Sequence, residues 1–228
     1  MLAWARRHRR RLALWGFAIF FGLPLGLVLV YWVVPPPITP LMVIRLIQGE
    51  GLEKQWVPLG SIDPDLMRAV IAAEDAKFCI HHGFDWDAID NAYAHYQDGG
   101  RLLGASTISM QTAKNVFLWP GRNFLRKGIE AAFTVLIERI WGKRRILEVY
   151  LNVVEWGPGL YGAQTAAHHY FGKPASALSP REAAALAAVL PNPRRWSPTK
   201  PRGHLPARIG MIQARMRQVK IASGRICP

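Results

Sequence analysis

Three stretches of the chain carry side chains whose types and spacing could do chemistry. The first is EDAKFCIHHGFD, residues 74–85, in which Glu74 and Asp75 follow the apolar Ile71-Ala72-Ala73 at what should be the C-terminal end of a helix. A carboxylate with apolar neighbours near the negative end of a helix dipole has its pKa pushed upward, which suits a general base or acid. The same residues also describe a solvated acid beside a helix end. The second is GASTISMQTAKN, residues 104–115. Gly104 permits a tight turn, Ser106 and Thr107 can cap a following helix, and the free N–H groups at such a terminus attract anions. Lys114 then falls on roughly the same side as Gln111 and Ser106 or Thr107. The third is GRNFLRKGIEAAFTVLIER, residues 121–139, where Arg126 and Glu130 are one helical turn apart and Arg122 precedes them by another. Most such pairs are surface ion pairs, but Arg122, Lys114 and Lys127 gathered around one point would suit a diphosphate.

The elements that must position these residues are helical. Asp63-Pro64-Asp65 is an N-cap, a first-turn proline and a first-turn acid, and predicts a helix running towards Phe78. Ser179-Pro180-Arg181-Glu182 reads as a capping box launching an Ala/Leu-rich helix that stops before Pro191. Between them, apolar periodicity predicts helices over Thr107–Phe117, Phe124–Trp141, Lys143–Val153 and Tyr161–Tyr170, and a basic amphipathic helix follows from about Ala207 to Ile221. Strand-like material is confined to Leu41–Ile47. The fold class is mainly α.

The 228 residues include 29 Lys+Arg against 15 Asp+Glu, a formal charge of +14, yet half are apolar and only 19% are charged. That excludes a disordered polyelectrolyte, because a chain this rich in Trp, Phe, Leu and Ala can build a core. From Leu12 to Val34 there are 23 residues without a charge, preceded by Arg6, Arg7, Arg9, Arg10 and Arg11. A helix of that length spans a bilayer core of about 30 Å, and the basic flank places its N-terminus in the cytoplasm. The uncharged run exceeds a signal-peptide core of about 7–15 residues, and Pro35-Pro36-Pro37 stands where a cleavage site should lie, so a retained anchor is expected. The predicted organisation is a basic N-terminus (1–11), a transmembrane helix (12–34), a linker and membrane-proximal segment (35–48) and a catalytic domain (49–228). Cys79 and Cys227 then face an oxidising compartment and could pair. With no Cys-x-x-Cys motif and an isolated His81-His82 pair, a structural zinc site is not expected. Nor is nucleic-acid binding, since the basic domain faces away from the cytoplasm and has no binding motif.

Taken together, five blocks make the chain similar to the monofunctional biosynthetic peptidoglycan glycosyltransferases of glycosyltransferase family 51, the domain that also forms the N-terminal half of class A penicillin-binding proteins. They are EDAKFCIHHGFD (74–85), GASTISMQTAKN (104–115), RKGIEAAFTVLIE (126–138), KRRILEVYLNVVEWGPGLYGAQTAAHHYFGK (143–173) and LSPREAAALAAVLPNPRRWSP (178–198), in the family's order and over most of the soluble part. The family's usual Gln-Gln in the second block is Met110-Gln111 here, which puts in doubt only a polar contact from position 110.

The resemblance implies a lysozyme-like helical lobe with a small membrane-proximal jaw lobe, and polymerisation of lipid II, the undecaprenyl-diphosphate-linked disaccharide pentapeptide, onto which the lipid-linked growing strand is transferred. Glu74 matches the family's catalytic base. Lys114, Arg122 and Arg126 match the neutralisers of the diphosphate leaving group. Glu130 matches a second essential carboxylate, either aligning those cations or helping to hold a divalent Mg or Mn ion; no cofactor is obligatory. Ser106, Thr107, Gln111, Asn115 and Lys127 are candidate substrate contacts. Asp75, Phe78, His81 and Gly83 are grouped with them, mainly as residues that shape the site. Glu148, Tyr150 and Asn152 share a helix and serve either as packing anchors or as substrate contacts. A cross-linking transpeptidase domain would require several hundred further residues, so glycan polymerisation without cross-linking is expected, at the bacterial inner membrane, with the catalytic domain periplasmic and penicillin-binding or divisome proteins as partners. The rival readings are a lytic transglycosylase or lysozyme-like hydrolase, and a membrane-anchored wall-binding scaffold.

Overall fold

The computed structural model describes residues 8, 15–16, 18–100, 104–121, 123–221 and 226–227. It divides after Pro35 into two compact units. In the first, a π-helical turn over Ala18–Gly22 leads into helix α1, Leu23–Val33. Among the described residues no helix is long and apolar enough to cross a membrane; residues 12–14 and 17 of the expected span, and the arginines before it, lie outside them.

Among the described residues, the second unit is built from nine α-helices and one small sheet: α2 (Pro40–Ile47), β1 (Glu53–Lys54), α3 (Pro64–Glu74), α4 (Trp86–Gln97), α5 (Ile108–Phe117), α6 (Phe124–Ile140), α7 (Gly142–Val153), β2 (Glu155–Gly157), β3 (Leu160–Tyr161), α8 (Ala163–Phe171), α9 (Pro180–Val189) and α10 (Leu205–Met216). Two helix triples make its core. In one, α3, α9 and α10 pack mutually around Leu66, Val70, Leu186 and Ile212; in the other, α5 packs against both α6 and α7 around Ile108, Ile137 and Ile146. The chemistry-bearing residues lie at the end of α3 and along α5 and α6, so the seam between the triples fixes their geometry.

Local signals placed most of these elements. Asp63 accepts from the Asp65 N–H at 2.8 Å to start α3, and Ser179 and Glu182 form the expected reciprocal capping box at α9. Three expectations are corrected and one helix is added. Leu41–Ile47 is not strand-like but helical, because Thr39 caps the Met42 N–H at 3.4 Å and Pro40 supplies the first-turn φ. The helix expected to run to Phe78 stops at Glu74, where Asp75 swings to φ −162°. Helix α4, unpredicted from periodicity, is started by Asp85, which accepts from the Ala88 N–H at 3.0 Å. The helix expected from Tyr161 begins only at Ala163: Leu160 and Tyr161 pair between β1 and β2 in a three-stranded sheet, and Gly162, at φ +88°, makes the turn into α8.

Cys79 and Cys227 form a disulfide with Cα atoms 5.2 Å apart. It ties the C-terminal end of the chain to the segment just after α3.

Candidate active site

Where α3 ends, Glu74 and Asp75 diverge to do different things. Asp75 is buried and turned onto the start of α5: its Oδ2 accepts from the Ile108 N–H at 2.9 Å. His81 Nε2 lies 2.9 and 3.0 Å from the two Asp75 oxygens, while His81 Nδ1 accepts from the Gly83 N–H at 3.1 Å. That second bond fixes the tautomer, so Nε2–H is the donor to Asp75. Thr107 caps α5 through the Met110 N–H at 3.1 Å and donates its hydroxyl to the Gly83 carbonyl at 2.6 Å. Gly83 has φ +97°, and a Cβ there would meet Thr134 Cγ2 at 2.9 Å. These four residues are a clamp that sets α5 against the end of α3. Phe78 has no exposed surface, and its ring sits 4.6 Å beneath Lys143 Nζ, so the structure makes it a packing group.

Glu74 points the other way. Gln111 Nε2 donates to its Oε2 at 2.9 Å, and the Gln111 carbonyl accepts from the Tyr150 hydroxyl at 3.1 Å. Burial pushes the Tyr150 pKa well above its usual value, keeping the phenol a donor and the amide oriented. Arg208 of α10 places Nη2 3.5 Å from Glu74 Oε1, braced by its own Nε–H to the Ala188 carbonyl at 3.2 Å. Desolvation raises the Glu74 pKa, against the Gln111 hydrogen bond and the Arg208 and Lys114 charges, with Asp75 adding to the rise. The result is a carboxylate held in place and made more basic than an ordinary one, which is what proton abstraction from a hydroxyl requires.

Beside it opens a cleft of about 610 Å³, lined by Gln111, Lys114 and Asn115 of α5 and by Arg126, Lys127 and Glu130 of α6. Ser106 is also on its wall, 3.4 Å from Lys127 Nζ. Asn123 caps α6 through the Arg126 N–H at 2.7 Å, fixing the turn that carries the cations. Glu130 is 2% exposed and receives Arg126 Nη1 and Lys127 Nζ, each at 2.5 Å. Lys114 makes no ion pair within 4 Å among the described residues. Burial lowers its pKa, Glu130 and Glu74 work against that, and Arg126 and Lys127 reinforce it. Three cations against one carboxylate leave two positive charges facing the cleft, a built receptor for a multiply charged anion.

Both Glu130 oxygens are occupied by cations and three positive charges surround it, a donor set that does not suit a divalent metal ion. Glu130 is therefore a holder of Arg126 and Lys127.

The structure thus brings together Glu74, Gln111, Lys114, Asn115, Arg126, Lys127, Glu130 and Ser106, and sets Asp75, Phe78, His81 and Thr107 behind them as supports. Arg122 lies outside the described residues. Met110 is buried on the core side of α5. Glu148 and Asn152 prove to be anchors: Glu148 accepts from the Leu59 N–H at 3.1 Å, and Asn152 exchanges hydrogen bonds with the Val57 backbone. Arg208 is the residue that reading the sequence missed. It lies in a basic amphipathic helix where nothing local marks one arginine as facing Glu74.

Comparison with known proteins agrees with this geometry. Residues 42–217 match the family model described as Transglycosylase. A protein of Rhodospirillum centenum named biosynthetic peptidoglycan transglycosylase is 57% identical over 218 residues, covering 94% of this chain and 93% of its own length. Proteins of the same name from Caulobacter vibrioides and Pseudomonas syringae pv. tomato are 54% identical over 196 residues and 51% over 225, covering 86% and 96% of this chain and 86% and 94% of theirs. With the matched region spanning both helix triples and every charged residue of the cleft, this chain belongs to the transglycosylase family.

Proposed function

We propose that this chain polymerises peptidoglycan glycan strands, transferring the lipid-linked growing strand onto the 4-hydroxyl of the GlcNAc of lipid II. The observation that carries the reading is the pairing of one basic, buried carboxylate with an adjacent cleft whose cations exceed its carboxylates. Glu74 takes the proton of the acceptor hydroxyl as that oxygen attacks C1 of the donor MurNAc. The bond from C1 to the diphosphate oxygen breaks on the opposite face, giving a β-1,4 link with inversion. The diphosphate leaves as an anion, so it needs charge stabilisation more than a proton. Lys114, Arg126 and Lys127 supply it, with Arg122 as a further candidate, and Glu130 holds two of them in register. Ser106 and Asn115 are the polar contacts on either side.

The remaining parts of the proposal concern setting. Residues 12–34 anchor the chain in the bacterial inner membrane with the N-terminus cytoplasmic and the catalytic unit periplasmic, supported by the uncharged run and its arginine flank. The catalytic unit is a lysozyme-like lobe with a membrane-proximal jaw, and penicillin-binding or divisome proteins are its partners in wall synthesis. A glycan-cleaving enzyme would also use a glutamate but has no need of the cation cluster. Incubation of the purified chain with labelled lipid II should give polymer, which Glu74→Gln abolishes with the fold intact. Soluble anhydro or reducing fragments from finished glycan, with no polymer from lipid II, would overturn the synthetic reading.

A further inference from the structure

Tyr150 of α7 has 0% of its surface exposed, so of the two roles open to its helix it cannot be a substrate contact. Its hydroxyl nevertheless points at the chemistry. Among the described residues its hydrogen bond goes to Gln111 alone, whose side-chain carbonyl accepts at 3.1 Å. The Gln111 amide is thereby held at both ends: Nε2 donates to Glu74 Oε2 at 2.9 Å and reaches the Ser106 carbonyl at 3.5 Å. Turned over, the amide would set its oxygen against a carboxylate and a carbonyl, and neither of those can donate. Tyr150 supplies the donor that the amide oxygen needs in the orientation observed. Without the phenol, that oxygen would be an acceptor left with no partner.

The two oxygens of Glu74 are consequently unequal. Oε2 is engaged by Gln111. Oε1 has no hydrogen-bond partner among the described residues, only the Arg208 guanidinium at 3.5 Å, and it is not one of the unpaired polar atoms sealed from solvent. With 12% of the Glu74 side chain exposed, Oε1 is the oxygen left open to an incoming hydroxyl. The groups that bear on the charge of Glu74 come from four elements: Asp75 at the end of α3, Gln111 and Lys114 on α5, Arg208 on α10 and, beyond Gln111, Tyr150 on α7. Desolvation favours the neutral acid, and the Gln111 hydrogen bond is the largest influence opposing it. Loosening that bond tips the group towards the protonated form, which cannot act as a base.

We infer that Tyr150 is a positioning residue of the reaction: through Gln111 it pins Glu74 Oε2 and leaves Oε1 to take the proton of the acceptor hydroxyl. The identity of that hydroxyl rests on the polymerase reading; the pinning of the carboxylate does not.

The test uses the full chain in detergent and reads Glu74 itself, by carboxyl-carbon NMR titration of glutamate-labelled protein without substrate, the Glu74 signal being the one absent from Glu74→Gln. Tyr150→Phe keeps the ring and removes only the hydroxyl, so the fold should survive, as thermal unfolding would check. In Tyr150→Phe and in Gln111→Ala the Glu74 carboxyl should titrate at higher pH than in wild type. In the Gln111→Ala background Tyr150→Phe should add no further shift, because the link is already cut. In lipid II turnover Tyr150→Phe should lower kcat/KM on the acidic limb by about tenfold, the effect of one hydrogen bond to a charged group. Most of that loss should be recovered as the pH rises through the shifted titration. A merely structural role would lower kcat/KM equally at every pH and leave the titration in place, and that result would overturn the inference. So would a Tyr150→Phe shift that persists undiminished without Gln111, since the phenol would then act on Glu74 by another route. A chain whose Glu74 titration depends on Tyr150 but which makes no polymer would refute the proposed function and leave the pinning standing.

Discussion

Replacing Glu130 by glutamine removes the negative charge on which two cations of the cleft are hung, and the structure sets the size of the effect. Arg126 is 6% exposed, whereas the Lys127 side chain is 44% exposed. Lysine can swing its ammonium into water, where a surface pair is worth under about 1 kcal/mol. Arg126 cannot, and opposite charges about 4 Å apart interact by about 4 kcal/mol at an effective dielectric near 20. Breaking such a buried pair from one side costs about 3–5 kcal/mol because the other charge stays buried. At about 2–4 °C per kcal/mol for a unit of this size, Tm should fall by roughly 6–20 °C. Arg126→Gln should cost less, since Glu130 keeps Lys127, and the double variant should recover part of the stability lost in Glu130→Gln, with a coupling of about 2–3 kcal/mol. Turnover should behave differently. Glu130→Gln should lose about 10²-fold or more in kcat, the scale of one electrostatic stabiliser, with no rescue by added Mg or Mn, and the double variant should stay inactive. The assays are thermal unfolding of the full chain in detergent and labelled lipid II polymerisation over a range of divalent-ion concentration. An unchanged Tm, or a Glu130→Gln enzyme restored by magnesium, would refute the assignment of Glu130 as a cation holder.

Because burial raises the Glu74 pKa, the acidic limb of kcat/KM should lie above the ordinary carboxylate value of about 4.3. The same shift predicts a stability effect. A carboxyl whose folded pKa is raised is stabilising below its unfolded pKa and loses that contribution as pH rises through the folded value. Glu74→Gln should therefore be more stable than wild type at neutral pH, with the gain vanishing below about pH 4; a variant less stable at pH 7 would contradict the desolvation argument. The Cys79–Cys227 bridge joins residues separated by 148 positions, for which chain entropy gives a ceiling of about 5 kcal/mol. Cys79→Ser, or reduction of the wild type, should lower Tm by up to roughly 10–20 °C, and a Tm insensitive to reductant would show that the bridge does not constrain the unfolded chain. Gly83→Ala would strain a φ of +97° and press a Cβ onto Thr134 and Glu138. It should destabilise by about 1–3 kcal/mol, measured by urea unfolding, and wild-type stability would mean that the turn relaxes freely.

How much of this was legible in the sequence depended on the range of the interaction. The starts of α3 and α9 were written within four residues each, as Asp63-Pro64-Asp65 and the Ser179–Glu182 box, and both formed as read. Thr39-Pro40 carries a similar signal, but its helix is short and apolar, and periodicity over eight residues does not separate helix from strand. Strands β1, β2 and β3 have two, three and two residues. They exist because α7 and α8 bring Glu53–Lys54 beside Leu160–Tyr161, and no pattern that short can announce itself. Helix α4 mixes Trp, Tyr and Asp with little apolar stripe, and only Ala92 of it is buried, so its Asp85 cap was the one available sign.

The site divides along the same line. Lys114, Arg126, Lys127 and Glu130 were visible because helical spacing of three and four puts them on shared faces, and Glu74 because it ends a helix with a clear beginning. What spacing could not supply was the second partner of each group. Glu130 satisfies both of its oxygens within its own helix, and its role could be narrowed only when that was seen. Glu74 is completed by Gln111, Tyr150 and Arg208 from three other helices. A sequence states which charges a helix face offers; whether each is already satisfied is settled by tertiary neighbours, and the unsatisfied ones are those left over for substrate.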